Sequence, residues 1–282
     1  MKTSNKKSFR RGKPHFISYI LIAVILVIAL FPIFWMVVTS IKPEMQSYKI
    51  PPVWAFKPVM KNYLDAFHLR PILSYISNSI FIALVSTFFS IIIGIFAAYG
   101  FSRFRTSKSD QLKFTIFSFR ILPPIAIALP IYLLWTKVGL IDTKLGLILV
   151  YTAMNLPFTV WVLAAFFDQL PKELDEAATI DGCSYLGALR RIILPIALPG
   201  LSAILILTFI FCWNEFAFSV ILTNINAKTI PVEIAAFSGE SRGTDWGKIC
   251  AVANTITLPV IALTLAVQKY LVKGLSFGFI KE

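Results

Sequence analysis

The sequence predicts an all-α integral membrane protein with about six transmembrane helices. More than half of its residues are apolar (57%) and only 15% are charged, and the apolar residues come in uninterrupted blocks where a soluble domain would alternate. Six blocks, 15–38, 77–101, 113–135, 144–167, 199–223 and 249–271, each come close to the roughly 20 residues that carry a helix across the hydrocarbon layer. Basic residues cluster in short segments that fall on one side of such a bundle.

The first block follows Lys2, Lys6, Lys7, Arg10, Arg11 and Lys13. That start has the look of a signal peptide, but the apolar run continues through Phe31, Pro32, Phe34 and Trp35 with no small-x-small cleavage site, so an uncleaved anchor helix is expected. The outer loop that follows, about 39–75, carries Pro43, Pro51, Pro52, Pro58 and Pro71 with Trp54, Phe56, Tyr63 and Phe67. This composition suits a short folded cap and not a long helix. In the second block Ser86, Ser90, Gly94, Ala98 and Ser102 recur every four residues, which puts small side chains on one ridge where helix backbones approach closely. Such a ridge serves either ordinary helix packing or a sliding subunit interface. Pro123, Pro124, Pro130, Pro157, Pro199 and Pro259 interrupt the later blocks, and broken backbone at membrane depth is tolerated where protein or a water-filled path satisfies the freed carbonyls.

With an even number of crossings both termini share a side. The basic start, Arg103, Arg105 and Lys108, and Lys172, Arg190, Arg191, Lys269, Lys273 and Lys281 assign that side to the cytoplasm. Lys42, Lys49, Lys57, Lys61 and Arg70 oppose this, but they lie in the long first outer loop, where basic residues weigh less. The net charge of +13 therefore has a topological explanation, and nucleic acid is not expected as a partner. The expected organisation is a basic cytoplasmic tail (1–14), an accessory first helix with its outer loop (15–76), a core (77–271) containing a cytoplasmic loop (168–198), and a C-terminal cytoplasmic tail (272–282). Cys183, Cys212 and Cys250 are too scattered for a disulfide framework or zinc site. His15 and His68 are isolated, so neither metal ligation nor acid-base catalysis is expected.

The loop 168–198 is polar and charge-dense. Leu170-Pro171-Lys172-Glu173-Leu174-Asp175-Glu176 reads as a helix start, with proline in the first turn and carboxylates complementing the helix dipole. Ala177 and Ala178 favour helix, and Gly182 can adopt the left-handed conformation that ends it. Leu174, Ala177 and Ile180 share one narrow apolar edge, suited to a partner's groove. An amphipathic helix resting on lipid is the alternative, but such helices favour basic polar faces and this one begins acidic. A second short helix over 184–191 is expected before Pro195 and Pro199 redirect the chain into the fifth span.

Glu176, Ala177, Ala178, Gly182, Ile192, Leu194 and Pro195 carry the spacing EAA-xxx-G-xxxxxxxxx-I-x-LP. It resembles the coupling loop of permease subunits in bacterial ABC importers. Asn78-Ser79, Ala97-Ala98-Tyr99 with Arg103-Phe104, the run Gly146 through Tyr151 with Asn155-Leu156-Pro157, Trp213-Asn214-Glu215 and the ending Gln268 through Leu275 are similar to the carbohydrate branch of that family. The resemblance implies a type I ABC importer permease fold in the bacterial cytoplasmic membrane, with a five-helix core and an extra N-terminal helix. It further implies a second homologous permease, two ATP-binding cassette subunits, an extracytoplasmic solute-binding protein, and a carbohydrate or polyol substrate. Glu176, Ala177, Ala178 and Gly182 would dock on the ATPase, with Ile192, Leu194 and Pro195 anchoring the loop to the lipid-embedded core.

No G-xxxx-GK-[ST] phosphate loop occurs in the sequence, so ATP and magnesium are expected on the partner ATPase and no cofactor on this chain. Glu215 with Asn214 lies in the fifth apolar block, where a lipid-facing carboxylate is expensive. A translocation path is therefore expected near Asn155, Trp213, Asn214, Glu215, Asn254 and Thr255, with Thr257 beside them. Trp213 would stack on a sugar ring. Asn155 can instead satisfy the carbonyl released by Pro157, and Glu215 can pair with the sister subunit. Arg120 is expected to snorkel or pair within the bundle. An importer of a polyamine, phosphate ester or amino acid is the alternative within transport. A membrane enzyme or channel would need His or Asp clusters or a charged ring, and neither is present in the sequence.

Overall fold

The computed structural model describes residues 16–237 and 244–277. The expected basic tail 1–14, His15 and the last residues 278–282 lie outside them. The regular structure of the described residues is entirely helical. In chain order the helices are α1 (Phe16–Ser40), the short α2 (Glu44–Ser47) and α3 (Lys61–Leu69), α4 (Ile72–Arg103), α5 (Ser109–Ser118), α6 (Pro124–Val138) and α7 (Lys144–Asp168). There follow α8 (Glu173–Ile180), α9 (Tyr185–Ala188), α10 (Leu194–Trp213), α11 (Ala217–Leu222), α12 (Ile230–Ala236) and α13 (Trp246–Phe277). Five of the described helices are long and apolar enough to cross a membrane, and α5 with α6 makes a sixth if counted as one broken span.

The core is built on α4 and α7, which run side by side. All five residues of the expected small-residue ridge are buried, and the partner they meet is this chain's own α7. A Cβ added at Gly94 would lie 2.5 Å from Thr159 Cγ2. The Ser86 and Ser90 hydroxyls reach the Ile148 and Thr152 carbonyls at 3.4 Å. α10 crosses both in the opposite sense, giving two apolar clusters. Ile82, Leu147, Tyr151, Phe209 and Phe218 fill one half of the bundle; Ile91, Ala98, Leu163, Phe167, Leu189 and Ile193 fill the other. α1 leans on α13, and none of its apolar window is buried.

Three expected elements differ. The third block is broken at Leu122-Pro123, and α5 and α6 meet at 89°, because each proline removes an amide donor and Pro123 disfavours the helical region for Leu122. Leu122 is accordingly extended, at φ −62° and ψ 128°. The fifth span starts earlier and stops earlier than expected: α9 runs through a widened turn at Leu189–Ile193 directly into α10. Pro195 and Pro199 therefore lie inside a continuous rod and do not redirect the chain. The ring of Pro195 would press on the Arg191 carbonyl in a regular helix, and the widened turn gives it room. α10 then ends at Trp213, and 217–222 is a separate helix. The last helix, finally, extends through Phe277 and past the expected tail boundary at 271.

At the far end of α7 from α8, Asp142 sits at φ 56° and accepts backbone N–H groups of Asn224, Ile225, Asn226 and Ala227, the first at 2.9 Å. Desolvation works against its charge, but these amides outweigh it and hold the carboxyl below the usual carboxylate range. The loop after α11 is thereby latched to the start of α7.

Candidate functional site

α8 ends as its sequence predicts. Gly182 takes φ +81°, its N–H bonds the Thr179 carbonyl at 3.0 Å, and the Cys183 N–H reaches back to Ala178 at 2.8 Å. This double bond pattern is the Schellman turn, which favours glycine. Ser184 then caps α9, its hydroxyl accepting the Gly187 N–H at 3.2 Å.

Glu176, Ala177, Gly182 and Ile180 are exposed, Ile180 by 86%. With Tyr185 and Leu186, also exposed, Ile180 and Ala177 give this end of the bundle an open apolar edge. Ala178, in contrast, is turned into the chain at 2% exposure, so it seats α8 on its own bundle. Ile192 and Leu194 are half-buried and Pro195 is exposed. The fully buried residue among them is Ile193.

The attachment of α8 rests on residues far apart in the sequence. Asp175 is buried, and its carboxylate accepts Arg103 Nε at 2.6 Å, with both side chains nearly inaccessible. The Tyr99 hydroxyl donates to the same carboxylate. The Arg103 guanidinium also donates to the Phe167 carbonyl at 3.1 Å and the Leu170 carbonyl at 3.4 Å, the first in the last turn of α7 and the second just beyond its end. One arginine thus ties the exit of α4, the end of α7 and the body of α8 into a single joint. By sequence alone Asp175 complements the dipole of α8 from its first turn. A better signal was Arg103 at the end of an apolar span, beside a loop rich in carboxylates.

The expected path residues separate. Asn155 and Glu215 share a cavity of about 260 Å3 with Arg120, Tyr151, Met154 and Phe211. It lies where α5 breaks from α6 and α10 gives way to α11. The Asn155 amide donates to the Tyr151 carbonyl at 2.8 Å and to Cys212 Sγ at 3.3 Å, so it does not serve Ala153, whose carbonyl Pro157 frees. Glu215 accepts the Phe218 and Ser219 backbone N–H groups at 2.9 and 3.2 Å. Arg120 donates to the Met154 carbonyl at 2.8 Å and to Asn155 Oδ1 at 3.2 Å, and stacks 4.8 Å from the Phe211 ring centre. It therefore turns into the bundle and does not snorkel.

The other expected path residues lie elsewhere. Trp213 is 3% exposed and stacked on Phe209, which removes it as a sugar platform in this conformation. Asn214 bonds its own helix at Ile210. Asn254 bridges α13 to the Met36 carbonyl and the Tyr63 hydroxyl, and Thr255 and Thr257 bond carbonyls one turn back in α13.

Comparison with known proteins follows the same pattern. A trehalose/maltose transport system permease protein of Thermococcus litoralis is 35% identical over 259 residues, covering 90% of this chain and 92% of its own. A trehalose transport system permease protein of Mycobacterium tuberculosis is 35% identical over 90% of this chain and 93% of its own. A probable ABC transporter permease of Sinorhizobium fredii is 35% identical over 89% and 90%. The fold matches a chain of a bacterial ABC transporter that imports the acidic polysaccharide alginate, with a TM-score of 0.73 over 90% of this chain and 95% of that one, at 22% identity. Residues 90–277, which include the α8 joint and the cavity, match the model of the binding-protein-dependent transport system inner membrane component. The chain belongs to that family of ABC transporter permeases, a multi-pass membrane component of a transport system and not an enzyme.

Proposed function

We propose that this chain is the permease subunit of an ATP-driven importer for a sugar, oligosaccharide or polyol, with α8 as the element that receives force from an ATPase. The observation that carries this reading is the α8 joint: a short acidic helix with an open apolar edge, fixed through Asp175 and Arg103 to two core helices. The family supports a binding protein and an ATPase as partners. The composition we infer is a second homologous permease, two ATP-binding cassette subunits bearing ATP and magnesium, and an extracytoplasmic solute-binding protein. The complex would sit in the bacterial cytoplasmic membrane with both termini of this chain cytoplasmic and lipid against the open faces of α1. Relatives named for trehalose and maltose support the substrate class.

In this mechanism Glu176, Ala177 and Gly182 meet the ATPase, Ala178 seats the helix, and Ile192, Leu194 and Pro195 lie at the foot of the rod that begins beside it. ATP-driven closure of the partner displaces α8, and differential docking free energy between its two states biases the bundle between inward and outward openings. The test uses Gly182→Asn and Ala177→Trp. An added Cβ at Gly182 meets nothing within 4 Å and asparagine tolerates the left-handed conformation that position takes, while Ala177 is exposed, so the bundle accommodates these changes while the docking edge does not. Both variants are expected to insert and hydrolyse ATP with the complex, but to lose uptake by at least about tenfold, the effect of about 1.4 kcal/mol in coupling. Normal uptake by both removes this assignment.

A further inference from the structure

We propose that the cavity bounded by Arg120, Tyr151, Asn155 and Glu215 is a binding site on this subunit for a neutral, polyhydroxylated solute. The assignment rests on the transport reading above and adds to it a place and a chemistry.

Three interruptions of helical structure converge on this cavity: the 89° break between α5 and α6, Pro157 within α7, and the gap between Trp213 and Ala217. Discontinuous helices at membrane depth are tolerated where they line a cavity, and there they expose polar groups to a solute. The depth follows from α7. Asn155 lies near the middle of this 25-residue helix, about 17–20 Å from either end at 1.5 Å per residue. α5 runs along the same helix, from Lys113 near Asp168 at one end to Arg120 beside Met154 and Asn155.

Charge at that depth requires a reason. Among the described residues no carboxylate lies within ion-pair distance of Arg120, which spends two N–H bonds on Met154 and Asn155 and leaves its other N–H groups for another acceptor. An intramembrane ionisable residue is costly and marks a substrate path by default. Tyr151 completes the polar lining. It is 1% exposed, lines the same cavity, and its hydroxyl lies against the Glu215 carboxylate and the Ser219 side chain, so phenol and carboxylate present one joined polar surface to the space beside Arg120.

The set has a definite preference. One guanidinium and one carboxylate cancel, so neither an anion nor a cation is favoured. A carboxylate, a guanidinium, a phenol and a carboxamide together accept and donate toward adjacent hydroxyls, while the Phe211 ring offers an apolar face. About 260 Å3 holds roughly eight waters at about 30 Å3 each, the size class of one sugar ring.

The test uses the complete transporter, with its partner permease, ATPase and binding protein, in proteoliposomes supplied with radiolabelled maltose, trehalose, galacturonate or spermidine. Wild type is expected to take up a neutral sugar. Tyr151→Phe, which removes one oxygen and keeps the ring, is expected to lower uptake per ATP hydrolysed by about threefold to tenfold, and Glu215→Gln by about tenfold or more. The sugar is expected to slow alkylation of Met154→Cys, and to lose that protection in the Tyr151→Phe background. Tyr132→Phe, on an exposed face of α6, serves as the unaffected control. Co-purification of all subunits checks assembly for each variant.

Uptake of a neutral sugar with Tyr151→Phe and Glu215→Gln both unaltered overturns the cavity assignment alone. Loss of the partner permease in Arg120→Gln, with Tyr151→Phe transporting normally, also overturns it and makes the cavity a subunit contact. Wild-type uptake of galacturonate in place of the neutral sugars overturns the neutral preference of the cavity and leaves the carbohydrate reading standing; uptake of spermidine alone sinks both.

Discussion

Removing the Asp175 carboxylate is expected to undock α8 before it unfolds the bundle. In Asp175→Ala, Arg103 stays charged where its side chain is 4% exposed, and breaking a buried pair from one side costs about 3–5 kcal/mol. Arg103 keeps its bonds to the Phe167 and Leu170 carbonyls, which favours the lower end, about 3 kcal/mol. What otherwise holds α8 is modest: buried Ala178 and half-buried Leu174 together contribute about 2 kcal/mol of apolar burial. A loss of about 3 kcal/mol shifts a docking equilibrium by roughly a hundredfold. Hydrogen exchange across 173–182 should therefore speed up by about that factor while α4 and α7 stay protected, and uptake should fall with ATP hydrolysis retained. In the double variant Arg103→Ala, Asp175→Ala the stranded charge is gone, so its cost should fall well below the sum of the single ones. Unchanged exchange and uptake in Asp175→Ala, or strictly additive costs, would refute the assignment of this joint.

Two further outcomes follow from close approach and from charge. Gly94→Val forces a branched side chain into Thr159, whose Cγ2 already lies 2.5 Å from the position of an added Cβ; a loss of about 1–3 kcal/mol should appear as a lower thermal midpoint of the detergent-solubilised complex, and an unchanged midpoint would contradict the α4–α7 packing. The Asp142 latch is pH-dependent in a stated direction. Its carboxyl is depressed in the folded chain, so its contribution is complete above the ordinary value of about 3.9 and is lost as pH falls through the lower folded value. Amide exchange at 224–227, corrected for intrinsic rates, should be the same at pH 7 and pH 5, and Asp142→Asn should raise it at both.

Much of this architecture is written locally. The α8 boundaries, the left-handed Gly182 and the α4 ridge follow from short-range spacing, and each is found where backbone stereochemistry demands it. What escaped was non-local or invisible to hydropathy. The apolar run resumes at Phe216 and continues to Leu222, so hydropathy averaged over the block runs across Asn214 and Glu215 and hides the interruption, which Glu215 caps by accepting N–H groups three and four residues ahead. Pro195 and Pro199 signal a helix end in water, but a widened turn absorbs the first inside a rod. Asp175 finds Arg103 across a long stretch of sequence, and Arg120 finds Asn155 likewise, pairings that no local pattern specifies. Trp213 beside two polar residues suggested a ligand platform; its burial on Phe209 reflects the face of α10 it occupies.

The uninterrupted run from Tyr185 to Trp213 makes a mechanical beam of α9 and α10. Gly200 rests directly on the Phe166 ring, with no space for even a methyl group between them, and so supplies a fulcrum partway along it. From there to Trp213 is about 20 Å at 1.5 Å per residue, so a rocking of about 5° at the foot beside α8 sweeps the far tip through about 1.7 Å. That displacement exceeds half the length of a typical hydrogen bond of about 2.9 Å, enough to change which partners Glu215 and its neighbours can reach.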